Sequence, residues 1–227
     1  MLLVSSAVLW DIDHTLVDTG GLGRELYQTA FEQVARVLFR RPASISGSTE
    51  FRIFSETLAL HGVPPSEELS AAYAEVLASL HVERTAELQA RGQALPGGRD
   101  VLLALQAKGF VQTVVTGNLR AVAVTKLKAF GLDSLLELEI GAYAEDGEDR
   151  EEIVRVAMAR VSAYSYVLIG DTSSDVAAAK ANGVPVIGVA TGKSSVEELR
   201  NAGADVALAD LADVDAVVAA VVGLATA

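Results

Sequence analysis

The chain has 227 residues, 51% hydrophobic and 21% charged, with a formal net charge of −12 and no cysteine. That is enough apolar material for a substantial core and a smaller second unit. The negative balance argues against nucleic acid or an anionic membrane as partner, since both call for a basic face, and the missing cysteines exclude disulfides and thiolate metal sites.

The apolar opening "MLLVSSAVLW" has no basic leader region, no small-residue cleavage site before Asp11 and too few residues to cross a bilayer, so a soluble, cytoplasmic protein is expected. It contains the first candidate strand, "AVLWDI" (7–12). From about residue 18 to 95 no strand pattern follows. That interval carries amphipathic helical patterns, "GRELYQTAFEQVARVLF" and "SEELSAAYAEVLASLHVERTAELQA", separated by "HGVPPS". The stripe Leu26, Tyr27, Phe31, Val34 and Leu38 in the first of these reads as ordinary helix packing. "LPGG" at 95–98 then returns the chain to an α/β rhythm and reads as a hinge.

Beyond it lie candidate strands at 110–117, 135–143, 166–171, 184–190 and 205–210, mostly apolar on both faces as buried parallel strands are. Between them run helical patterns, several ending in glycine. The expected fold is α/β: a Rossmann-like parallel sheet core formed by 1–17 plus 96–227, with a small all-helical cap domain, 18–95, inserted after the first strand.

Polar residues gather at the carboxyl ends of three candidate strands. The first ends in Asp11, Asp13 and Thr15, the second in Thr116, Gly117 and Asn118, and the fourth in Asp171 and Asp175. Each set alone has a local explanation, because such residues cap helices and make turns. Together, at strand ends of one parallel sheet, they mark a ligand crevice. Two carboxylates one residue apart can serve one substrate if the strand stops alternating there.

"DIDHTLVD", "VVTGN" and "GDTSSD" resemble the first, second and fourth motifs of the haloacid dehalogenase superfamily, in its phosphatase branch, and the helical insert lies where that family's smaller cap type is found. The whole is phosphoglycolate phosphatase-like. The resemblance implies that Asp11 is the nucleophile forming an aspartyl-phosphate, and that Asp13 is the acid/base for the leaving oxygen and then for water. Thr116 and the amides of Gly117 and Asn118 would cradle the phosphoryl oxygens. Carboxylates crowded against a phosphate need a divalent cation, and Mg2+ suits all-oxygen ligation. Its expected site is Asp11, Asp171 and the main-chain oxygen of Asp13, with Asp175 holding the shell.

The family also places a basic residue between its second and fourth motifs. The candidate is Arg150 in "GEDREEIV", where the common lysine and its following proline are absent; Lys126 and Lys180 are fallbacks. The implied activity is Mg2+-dependent hydrolysis of a small phosphate monoester, with a small phosphorylated metabolite as partner and neither nucleic acid nor membrane.

Asp13 and Asp171 argue against a dehalogenase, and no lysine precedes Lys108 to serve a phosphonate-cleaving relative from the cap. A phosphosugar mutase of the β-phosphoglucomutase kind shares the core and stays open. A receiver-like signalling module needs neither the long helical insert nor "GDxxxD". "GVATGKSS" (188–195) misses the Walker spacing by one residue. His14, His61 and His81 do not pair at metal-ligand spacing; the last two read as surface or core-edge residues, and His14 stands where the family often has glycine. Arg24, Arg52 and Arg84 are open to two readings, as partners of a second anionic group or as residues that merely face water.

Overall fold

The computed structural model describes residues 4–43 and 48–226, so Met1–Leu3 of the apolar opening lie outside the described residues. The first strand, β1 (Val4–Trp10), is followed by a tight turn and the short β2 (Val17–Asp18). Four helices come next: α1 (Leu22–Ala35), α2 (Glu50–Leu60), α3 (Glu67–Glu83) and α4 (Thr85–Arg91). The short β3 (Gln93–Ala94) then pairs antiparallel with β2, so the chain enters and leaves the helical insert through one two-stranded ladder. The remainder is α5 (Gly98–Ala107), β4 (Val111–Val114), α6 (Arg120–Ala129), α7 (Arg150–Val161), β5 (Ala163–Gly170), α8 (Ser173–Ala181), β6 (Val186–Val189), α9 (Val196–Asn201), β7 (Val206–Leu208) and α10 (Val214–Ala225).

The main sheet has the order β4-β1-β5-β6-β7, and every pair is parallel. It is the expected Rossmann-like α/β core. Alternation along β1 divides its side chains between two layers: Val8 and Trp10 join one core cluster, Ala7 and Leu9 the other. The Trp10 indole N–H donates to Gln112 Oε1 at 3.2 Å, and the Gln112 amide donates to the Leu102 carbonyl at 2.8 Å. These buried polar groups are thereby satisfied. Because β1 has β4 on one side and β5 on the other, the strand order reverses beside it, which opens a crevice at the carboxyl ends of these three strands.

The insert has its own core of Leu26, Phe31, Phe54, Tyr73 and Leu77, with the rings of Phe54 and Tyr73 stacked at 4.0 Å. The same cluster takes in Leu119 and Val122 at the start of α6, which fastens the insert to the α/β body. Residues 95–98 are also tied down. Leu95 N donates to the Leu16 carbonyl at 2.9 Å, and Gly97, at φ 80°, sits where a Cβ would run into the backbone of Leu211. No helix among the described residues is long and apolar enough to cross a membrane.

Four details depart from the sequence reading. Residues 135–143 are not a strand: 3-10 turns at Asp133–Leu135 and Leu138–Ile140 replace it, and Ala142 alone bridges to Val115 beside β4. Its alternating apolar and acidic residues are satisfied by tight turns that bury Leu136 and Tyr143 and leave the glutamates outside the core. α2 was not anticipated as a separate helix; Thr49 caps it by accepting from Arg52 N at 3.3 Å. The long pattern at 66–90 is broken at Arg84, where the Thr85 hydroxyl takes up the carbonyls of His81 and Val82 at 2.9 Å each. Leu38 is 81% exposed, because α1 stops at Ala35 and Arg36 turns left-handed at φ 56°, so it leaves the stripe.

Candidate active site

β1 ends at Trp10, and the chain then folds back on itself. The amides of Thr15, Leu16 and Val17 all point to the Ile12 carbonyl, at 3.2, 2.9 and 2.9 Å, and His14 takes a left-handed φ of 61°. A residue without a Cβ adopts that conformation most easily, so the turn holds His14 in a conformation that glycine would take at lower cost. The turn interrupts strand alternation, so Asp11 and Asp13 both line one cavity of about 420 Å³. Thr116, Gly117 and Asn118 from the end of β4 and Asp171 from the end of β5 line it too.

Two ionic clusters organise the cavity floor. In the first, Arg150 reaches in from the start of α7. Its Nε and Nη2 donate to Asp175 Oδ1 at 2.8 and 2.5 Å, and Nη2 also donates to Asp11 Oδ1 at 2.5 Å. The other oxygen of Asp175 accepts from the Thr172 amide and hydroxyl at 3.1 and 2.7 Å. Carboxylate oxygens of Asp11, Asp171 and Asp175 lie within 4.8 Å of one another, and all three residues are buried. Burial pushes the Asp11 carboxyl upward, Arg150 opposes this, and Asp175 and Asp13 add to the rise. Asp171 is pushed upward by burial and by its repulsion from Asp11 and Asp175, and it has no ion-pair partner among the described residues.

In the second cluster, Lys126 of α6 donates to both oxygens of Asp13 at 2.8 and 2.7 Å and to Asn118 Oδ1 at 2.7 Å. Asn118 Nδ2 donates to Asp13 Oδ2 at 2.7 Å and to Thr116 Oγ1 at 2.8 Å. Burial would raise the Asp13 carboxyl, but Lys126 and Asn118 outweigh it and hold it below the ordinary range. Gly117 separates the clusters. A Cβ there would collide with the Ser48 carbonyl at 2.5 Å and crowd Arg150 Nη1 at 3.3 Å, so glycine lets the backbone leading into α2 lie against the end of β4.

A family model described as haloacid dehalogenase-like hydrolase matches residues 8–180, which takes in all three strand-end motifs. The chain belongs to this family. A probable phosphatase, IndB, of Dickeya dadantii (strain 3937) is 30% identical over 200 residues, covering 86% of this chain and 85% of its own. A phosphoglycolate phosphatase of Caulobacter vibrioides is 27% identical, covering 93% and 90%. The crystal structure of a hydrolase from Pseudomonas syringae superposes with a TM-score of 0.69 at 19% identity, covering 92% of this chain and 96% of that one.

Seen as a haloacid dehalogenase-like hydrolase, the chain brings most of its candidate residues together. Asp11, Asp13, Thr116, Gly117, Asn118, Arg150 and Asp171 share the cavity, while Asp175 stands behind it, bound to Arg150 and Thr172. Lys180 lies away from the cavity, paired with Asp205 at 2.6 Å. Arg24 lines the cavity, whereas Arg52 pairs with Glu56 and Arg84 with Glu87 and Glu25. His61 is a packing residue: its Nε2 accepts from Arg40 N at 2.9 Å and its ring stacks on Phe39.

His81 is not at the surface or core edge; it is buried and lines the cavity. Lys126, a fallback without an evident place in the sequence, reaches Asp13 from within α6. Both had a legible signal. Lys126 follows Val122 by four residues on the buried face of α6, and His81 continues Tyr73 and Leu77 at the same spacing on α3. A charged or polar residue on an apolar helix face must find a partner. Glu50 also lines the cavity, and no sequence signal singled it out.

The three buried carboxylates fit a cation. Asp171 in particular is a nearly closed carboxylate that forms no ion pair among the described residues, and an all-oxygen donor set suits a hard divalent ion.

Proposed function

We propose that the protein is a Mg2+-dependent phosphatase that hydrolyses a small phosphate monoester through an aspartyl-phosphate on Asp11, with residues 18–95 acting as a cap over a core of 1–17 and 96–227. The observation that carries this is the convergence of Asp11, Asp13, Thr116, Arg150 and Asp171 on one cavity at the strand-order reversal. The phosphatase names of the relatives that cover most of the chain support it.

On this reading an Asp11 carboxylate oxygen attacks phosphorus and the bond from phosphorus to the alcohol oxygen breaks. Asp13 gives its proton to that oxygen, then takes one from the water that attacks the acyl phosphate and releases inorganic phosphate. In the substrate-free state Lys126 keeps Asp13 ionised. A phosphate dianion arriving beside it adds negative charge, which favours the protonated acid the first step needs. Arg150 ties Asp11 to Asp175 and holds the nucleophile's carboxylate in one orientation. The Thr116 hydroxyl and the Gly117 amide would meet the phosphoryl oxygens, whereas the Asn118 amide, also expected there, donates to Thr116 Oγ1 at 3.2 Å. Held by Asp11, Asp171 and the Asp13 carbonyl and steadied by Asp175, bound Mg2+ would supply the positive charge that lets one anion approach another. Insert residues such as Tyr27, Ile53 and Leu77 wall the cavity and would limit water around the ester.

The test is phosphate release from p-nitrophenyl phosphate and a panel of phosphorylated metabolites. Turnover is expected with Mg2+, lost on chelation, restored on re-addition and absent in a folded Asp11→Asn variant. Wild-type rates in Asp11→Asn, or no turnover of any ester, would overturn the reading. Release of inorganic phosphate separates a hydrolase from a mutase, which returns the phosphoryl group to a sugar.

A further inference from the structure

The wall that the helical insert contributes to the cavity carries hydrogen-bond acceptors that the fold itself leaves unused. His81 is 3% exposed and lines the cavity. Its Nδ1 lies 2.9 Å from the Leu77 carbonyl, which can only accept, so Nδ1 carries the proton and Nε2 presents a lone pair. Nε2 has no partner among the described residues and is closed to bulk water. Burial, reinforced by the charge of Lys126, brings the ring down to about 4, so it is neutral near pH 7. Glu50, at the first turn of α2, accepts from the Tyr73 hydroxyl at 2.5 Å on Oε1, and its second oxygen bonds nothing among the described residues. Both residues line the cavity and feel the charges of Asp13 and Lys126, so on the phosphatase reading they stand near the group that protonates the leaving alcohol. A buried acceptor without a donor destabilises the fold, and such a group in a cavity wall is explained when a ligand supplies the donor.

We propose that the alcohol half of the substrate carries a free hydroxyl that donates to His81 Nε2, with Glu50 as a neighbouring acceptor, so that the favoured substrates are phosphate monoesters of polyols. The inference rests on the phosphatase reading above and names its substrate class. A hydroxy-acid ester such as phosphoglycolate brings a carboxylate, which only accepts and is negative, toward a lone pair and a glutamate. The cation nearest them, Lys126, is already committed to Asp13 and Asn118. Arg24 and Lys193 also line the cavity, but both are exposed and screened by solvent.

The experiment compares kcat/KM of the full chain with Mg2+ for sn-glycerol 3-phosphate, n-propyl phosphate and 2-phosphoglycolate, with p-nitrophenyl phosphate as reference. Propyl phosphate matches glycerol phosphate in length but has no hydroxyl. Glycerol phosphate is expected to exceed both by at least about tenfold, since a site built to accept from a hydroxyl rejects analogues lacking it. His81→Leu should collapse the glycerol-to-propyl ratio toward one, largely through KM, and His81→Gln, which restores an acceptor, should recover part of it. A preference for 2-phosphoglycolate, or an unchanged ratio in His81→Leu, with p-nitrophenyl phosphate still turned over, sinks this inference and leaves the phosphatase reading standing. No turnover of any ester overturns both.

Discussion

The carboxyl edge of the sheet and the helical insert face each other across one cavity, yet they place their polar residues by different means. On the sheet side, Asp11, Thr116 and Asp171 stand just past the ends of adjacent parallel strands, so the backbone ladder sets their separation. On the insert side, His81 and Glu50 project from separate helices whose relation depends on packing of Phe54, Tyr73 and Leu77. Rigid strand ends suit chemistry, which tolerates little displacement. Helices joined to the body by a two-residue ladder and the start of α6 suit selection among substrates.

The contrast can be pressed hardest from the sheet side. Asp13→Asn keeps shape but removes the proton donor, so kcat should fall by about 10²–10⁴-fold while KM changes far less. Steady-state kinetics on an ester with a poor leaving group would show it, and an unchanged kcat would move the acid/base role elsewhere. Arg150→Ala leaves Asp11 and Asp175 buried against each other without their cation. The expected loss is about 3–5 kcal/mol in urea unfolding, because removing one partner of a buried ion pair strands the others. A loss below about 1 kcal/mol would mean the guanidinium is not what holds this side together.

The insert side should answer through pH. His81 stays neutral in the fold until about pH 4, whereas in the unfolded chain it gains its proton near 6.5. Its folded value is depressed, so stability is fully present above about 6.5 and declines as pH falls toward 4, by up to roughly 3 kcal/mol. His81→Leu should flatten that part of the stability curve relative to the parent. Parallel curves for the two proteins between pH 6.5 and 4 would show that the imidazole is not buried in this way.

The same division governs what the sequence reveals. Strand-end motifs are contiguous, so Asp11, Asp13, Thr116, Gly117, Asn118, Asp171 and Asp175 could be singled out, and Arg150 followed from its place between them. Lys126 and His81 were harder, because a buried helix face shows only as a four-residue spacing: the Asp13 carboxylate that Lys126 meets lies far away in sequence, and among the described residues the His81 ring bonds only the Leu77 carbonyl of its own helix. Glu50 had no such cue, since α2 itself did not stand out from its surroundings. Residues 135–143 misled because alternation of apolar and acidic residues serves tight turns beside a sheet edge as well as a strand.

Acid-quenching the Mg2+-loaded enzyme within its first turnover of a phosphate ester, and mapping phosphate on its peptides, tests the central claim most directly. The account predicts a hydroxylamine-labile phosphate on the peptide containing Asp11, absent in Asp11→Asn. Phosphate on another residue, or rapid turnover with no phosphorylated enzyme at any time, would contradict it.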